Sequence, residues 1–190
     1  MPKLTGIFET IIDLENIPVT DINDSLAQKR DEHELENFIA NRILYPQTIP
    51  ISKIDFDIDF AVLKEVIKRD SGRFFNDTLI NKIIIPKDIE ARFPPISRLI
   101  MTYLDALEPK GIIQVLLREE DKNMVIGSII KLESDGKKIT NILIAGKSYL
   151  ISQGSFTILP LPDRHISIKI DASDEIVISG GKLGIVIDAR

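Results

Sequence analysis

Apolar residues change their spacing along this chain, and the changes mark its elements. The first thirty residues hold Ile11-Ile12 and Ile17-Pro18-Val19 among scattered acids with no period, and fit strand or loop. From Asp31 the spacing is helical. An Asp31 and Glu34 pair resembles a capping box, and Leu35, Phe38, Ile39 and Ile43 follow at steps of three and four, which predicts a helix to about Leu44 closed by Tyr45-Pro46. Pro46 and Pro50 frame a rigid connector. A second helix is predicted over residues 57–69, with Phe60, Leu63, Val66 and Ile67 on one face and Lys64, Lys68 and Arg69 on the other. Residues 79–85, LINKIII, read as a short buried strand. The strongest helical stripe comes next: Ile96, Leu99, Ile100, Tyr103, Leu104 and Leu107, opened by Pro94-Pro95 and stopped by Glu108-Pro109-Lys110-Gly111.

Residues 112–117, IIQVLL, predict another strand, and the segment from Lys122 to Leu132 fits helix or strand, with Gly127 weakening both. Taken as the next helix, it completes a strand, helix, strand, helix order that points to a parallel α/β unit. After Ser134-Asp135-Gly136 the helical period disappears. Ala145-Gly146 reads as a two-residue hairpin turn, Ile166, Ile168 and Ile170 alternate strictly, and Asp171 to Asp174 reads as a turn. The expected fold is therefore an α/β segment over residues 1–134 followed by an all-β C-terminal module, barrel or sandwich, over residues 135–190.

Composition narrows the function classes. With 44% apolar and 28% charged residues, a chain of 190 residues can bury a substantial core. A net charge of -5 gives no electrostatic reason to bind nucleic acid, and the basic pairs Lys29-Arg30, Lys68-Arg69 and Lys137-Lys138 read as solvated surface. The absence of cysteine excludes disulfides, thiol nucleophiles and thiolate metal sites, and fits a reducing, cytoplasmic setting. Apolar runs such as Ile83-Ile84-Ile85 are far too short for a membrane helix, and Glu9 and Asp13 stand where a signal peptide would be apolar.

Several stretches could carry chemistry. Asp55-Phe56-Asp57-Ile58-Asp59 has the alternating acids of a calcium loop, but Phe60 replaces the turn glycine and Val66 the bidentate glutamate, so the acids are read as the favoured N-terminal end of the following helix. His33 lies among acids in a predicted first turn, and His165 alternates with Ser167 and Lys169 on the solvent face of a strand. Ser128 and Ser155 lack the Gly-x-Ser-x-Gly elbow of an exposed nucleophile. Gly180-Gly181-Lys182 suggests a phosphate loop, but Leu183, Ile185 and Ile187 continue with a period of two, so no helix terminus follows and a β-hairpin connection is expected. No residue is assigned as catalytic, cofactor-binding or metal-ligating.

Three stretches together resemble the C-terminal part of MutL-type proteins of the glutamate mutase system: ANRILYPQTIP with its following helix, residues 40–69; NKIIIPKDIEARFPPISRLIMTYLDALEPKGIIQVLL, residues 81–117; and GSFTILPLP, residues 154–162, with ISGGKLGIVIDAR, residues 178–190. The resemblance implies an actin-like half-domain and an accessory role for a cobalamin-dependent mutase. Where that family is expected to carry a glycine-rich nucleotide loop, Pro86-Lys87-Asp88-Ile89-Glu90 has no glycine, and Pro86 lacks an N–H donor. The architecture is thus expected without the nucleotide site. The family motif continues beyond the equivalent of Arg190, so a C-terminal fragment is also expected.

The resulting reading is a non-enzymatic interaction module without a cofactor, whose partner is another protein or the rest of a longer chain, with neither nucleic acid nor membrane involved. The alternatives are an ATP-dependent reactivase of a cobalamin-dependent mutase, and a small-ligand-binding β module offering Tyr149 or Phe156 as an aromatic platform.

Overall fold

The computed structural model describes residues 5–9, 17–45, 48–74, 79–120, 122–132, 139–161, 165–171 and 173–190. The chain divides into two compact units. One comprises Met1–Glu9, Asp77–Lys87 and Pro109–Arg190; the other comprises Thr10–Asn76 and Asp88–Glu108.

The first unit carries the strands. Its larger sheet joins β1 (Thr5–Glu9), β2 (Leu79–Pro86), β3 (Gly111–Glu119), β4 (Lys122–Lys131), β10 (Gly184–Asp188) and β7 (Phe156–Leu159), in that spatial order. β1, β2 and β3 run parallel, as the strand-helix-strand reading of residues 79–117 requires. The fourth element is a strand, not the helix taken from the alternation. Glu119 pairs with Lys122, which leaves two residues between β3 and β4, and a connection that short permits only an antiparallel neighbour. β10 then lies parallel to β4 and antiparallel to β7.

The smaller sheet has the order β6 (Lys147–Ser152), β5 (Ile139–Ile144), β8 (His165–Ile170), β9 (Ile176–Ser179), antiparallel throughout. The β5–β6 hairpin turns at Ala145-Gly146, as the sequence predicts. Alternation places Ile142, Ile144, Ile151, Ile166, Ile168 and Ile178 on one face, where they share a core with Ile130, Ile185 and Ile187 of the larger sheet. Two sheets facing across a common core make the β region a sandwich.

Chain order and sheet membership do not coincide. The Ser134 boundary lies outside the described residues, and β7 and β10, from residues 135–190, are strands of the sheet begun by β1 to β4. Gly180-Gly181-Lys182 is therefore not a hairpin turn: β9 pairs with β8 in one sheet, while β10 enters the other. Close backbone approach accounts for the glycines. Leu183 N–H donates to the Ile126 carbonyl at 2.7 Å, and a Cβ on Gly181 would lie 2.8 Å from that oxygen. At Gly184, with φ 76°, a Cβ would lie 2.2 Å from the Leu159 carbonyl oxygen.

The second unit is helical: α1 (Val19–Ser25), α2 (Glu32–Leu44), α3 (Lys53–Phe74), α4 (Lys87–Arg92, from its second residue) and α5 (Ile96–Leu107). Ile22, Leu35, Ile39, Ile58, Ala61, Val62 and Val66 form the core of α1, α2 and α3. The Phe60 ring of α3 meets Phe93 edge-on, with centroids 5.3 Å apart. The stripe predicted for α5 is buried at Leu99, Ile100, Tyr103 and Leu104.

Candidate functional site

The most distinctive surface of the helical unit is the elbow between α2 and α3. Its framework begins with caps. Asp31 Oδ1 accepts from the backbone N–H groups of His33 at 3.0 Å and Glu34 at 3.2 Å, which starts α2 at the predicted position. α3 starts four residues earlier than predicted, because Ser52 and Asp55 form a reciprocal capping box: Asp55 N–H donates to Ser52 Oγ at 3.1 Å, and Ser52 N–H donates to Asp55 Oδ2 at 3.0 Å. Burial pushes the Asp55 carboxyl upward, but hydrogen bonds from the Ser52 backbone and hydroxyl and from Ile51 outweigh it and hold the group below its usual value.

A buried ion pair locks the elbow. Arg42 on α2 donates through Nε and Nη2 to the two carboxylate oxygens of Asp59 on α3, each at 3.0 Å. Its Nη1 donates to the Thr48 carbonyl at 2.5 Å, fastening the connector, and the guanidinium lies 4.9 Å from the Phe38 ring centroid. Burial raises the Asp59 carboxyl above its usual range even though Arg42 opposes the shift.

Over this framework the chain exposes what a core would bury. Ile51 is 94% exposed, Ile49 75%, Leu44 69% and Tyr45 63%, with Ile43 and Ile54 also exposed. Tyr45, Ile49 and Ile51 edge a shallow pocket of about 340 Å³, with Phe38 and Asp55 in its lining. Glu32, Glu34 and Glu36 are exposed on the N-terminal half of the same α2.

The three acids read as a helix start divide their work. Asp55 caps, Asp57 pairs with Arg98 at 2.5 Å, and Asp59 takes Arg42. His165 is exposed, as its alternation predicts, and His33 is exposed in the first turn of α2; His33 Nδ1 lies 3.2 Å from Glu36 Oε2 and His165 Nδ1 3.4 Å from Ser179 Oγ. Ser128 Oγ donates to the Ser179 carbonyl at 2.8 Å and Ser155 Oγ to the Ser152 carbonyl at 2.6 Å, so each hydroxyl serves the backbone. β2 passes directly into α4 at Pro86-Lys87, and Lys87 pairs with Glu119 at 3.2 Å. Tyr149 packs against the sandwich core, and half-buried Phe156 lies under the Arg190 guanidinium at 5.2 Å. Among the described residues, no group of three or more His, Asp or Glu could hold a metal ion, and no helix is long and apolar enough to cross a membrane.

Sequence reasoning missed the elbow as a surface. The signal was present in Ile43-Leu44-Tyr45 and Ile49 to Ile51, apolar residues clustered around prolines where a connector is normally polar. No protein-family model, curated protein or solved structure matches this chain.

Proposed function

We propose that this protein is a non-enzymatic docking module, acting in the cytoplasm, whose contact surface is the α2–α3 elbow. The observation that carries the reading is the set of six large apolar side chains, Ile43, Leu44, Tyr45, Ile49, Ile51 and Ile54, held in water by a framework tied through Arg42 and Asp59. Exposed apolar groups on a fixed support gain free energy when a partner covers them, at about 25 cal/mol per Å², and lose little entropy in doing so. The acidic residues Glu32, Glu34 and Glu36 on the same helix complement an amphipathic partner segment with one apolar half and one basic half.

The resemblance to MutL-type accessory proteins makes a cobalamin-dependent glutamate mutase the partner to test first. Calorimetric titration of the purified mutase into this chain is expected to give saturable binding, weakened at least tenfold by Ile51→Asp with no change in melting temperature. Equal affinity for Ile51→Asp would remove the elbow as the contact surface, and absence of binding to the unmodified chain would remove the mutase as partner.

A further inference from the structure

A different surface of the helical unit has the build of a ligand site. A cleft of about 700 Å³ opens between α3 and α5, with the connector after α1 along its side. Sites for small molecules fall in this size range. Lys53, Asp57, Ala61 and Lys64 line it along α3, at steps of four, four and three residues that keep one helical face turned to the cleft. The eleven steps from Lys53 to Lys64 make about three turns, so the two lysines stand about 16 Å apart along the axis. Between them come Asp57, neutralised by its pair with Arg98, and the apolar Ile58 and Ala61.

The charge around this cleft runs against that of the whole chain. Arg30, Lys53, Lys64 and Arg98 face only Asp57 and Asp105, in a protein whose net charge is -5. Asp57 is engaged by Arg98, whose guanidinium also lies 4.2 Å over the Phe60 ring. Among the described residues, Arg30, Lys53 and Lys64 make no side-chain ion pair, whereas the neighbouring Lys29 and Lys68 pair with Asp24 and Glu65. Arg30 and Lys64 are moreover half-buried, so part of their hydration is already removed and an arriving anion has less water to displace. Reading Lys29-Arg30 as solvated surface is thus too coarse for Arg30, which lines the cleft and is half-buried.

We propose that the α3–α5 cleft binds a small organic dianion whose two anionic groups are separated by an apolar body, with Lys53 and Lys64 taking opposite ends. The lysine spacing sets the distance between the charges, Ile58 and Ala61 accept the apolar middle, and Arg30 adds a third cation from the facing connector. Carboxylate and phosphate groups satisfy the lysines equally well, so the shared chemistry is anionic termini on an apolar spacer.

The test is calorimetric titration of the full chain with decanedioate, decane-1,10-bisphosphate, decanoate and inorganic phosphate, repeated on the double variant Lys53→Gln and Lys64→Gln. Saturable binding of at least one long dianion is expected, with decanoate and inorganic phosphate at least tenfold weaker and the binding lost in the double variant at an unchanged melting temperature. The two dianions distinguish a carboxylate ligand from a phosphate ligand. The proposal is overturned if neither dianion binds, if decanoate or inorganic phosphate binds as tightly, or if the double variant retains the affinity. Elbow docking is read with a protein partner and the Ile51→Asp variant, so the two outcomes are independent.

Discussion

Asp59 and Asp188 are both buried against arginine, yet their environments move them in opposite directions. Removing the Asp59 carboxylate strands the Arg42 charge, so Asp59→Ala is expected to cost about 3 to 5 kcal/mol in urea denaturation, the range for breaking a buried pair. The double variant Arg42→Met and Asp59→Leu leaves no stranded charge and is expected to cost less. Burial also pushes Asp188 upward, but Arg190, through its guanidinium at 3.0 and 3.1 Å and its backbone N–H at 3.1 Å, together with Lys131 at 3.1 Å, holds it below the usual 3.8. A depressed carboxyl stabilises the fold above the unfolded-state value, and that contribution is lost as pH falls through the folded-state value. Melting temperature should therefore drop on acidification below about pH 4, with a shallower slope in Asp188→Asn. At this scale the Asp31 cap was legible in sequence, because capping is local. The Arg42–Asp59 pair was not, since 17 residues separate its members and only tertiary packing joins them.

Elements were legible wherever one periodicity stood alone. The α5 stripe and the β8 alternation follow their patterns because one face of each is buried. β4 fails that test: five of its ten residues, Ile126 to Ile130, are buried without a break, so both faces are covered there and period two is lost. The early start of α3 was readable from the Ser52 to Asp55 spacing, and Ser52→Ala is expected to cost about 1 kcal/mol of stability in chemical denaturation. At the passage from β9 to β10 the glycines signalled backbone proximity, not a turn between paired strands. Gly184→Ala is expected to lose more than about 1 kcal/mol, because its Cβ would meet the Leu159 carbonyl at a positive φ. A loss of only a few tenths would mean that this crossing is looser than its geometry indicates.

At the scale of the molecule, an α/β segment followed by a β-rich C-terminal part could be read from the order of elements. The return of β10 and β7 into the first sheet could not, because strand pairing between distant segments leaves no local signature. The elbow belongs to the same class of hidden feature: its apolar residues were visible, but their exposure depends on how Arg42, Thr48 and Asp59 hold α2 against α3. Hydrogen exchange of this chain, alone and with saturating purified glutamate mutase, tests the docking account most directly. The account predicts slowed amide exchange over residues 41–55 in the complex; exchange in that segment at the same rate in both samples would contradict it.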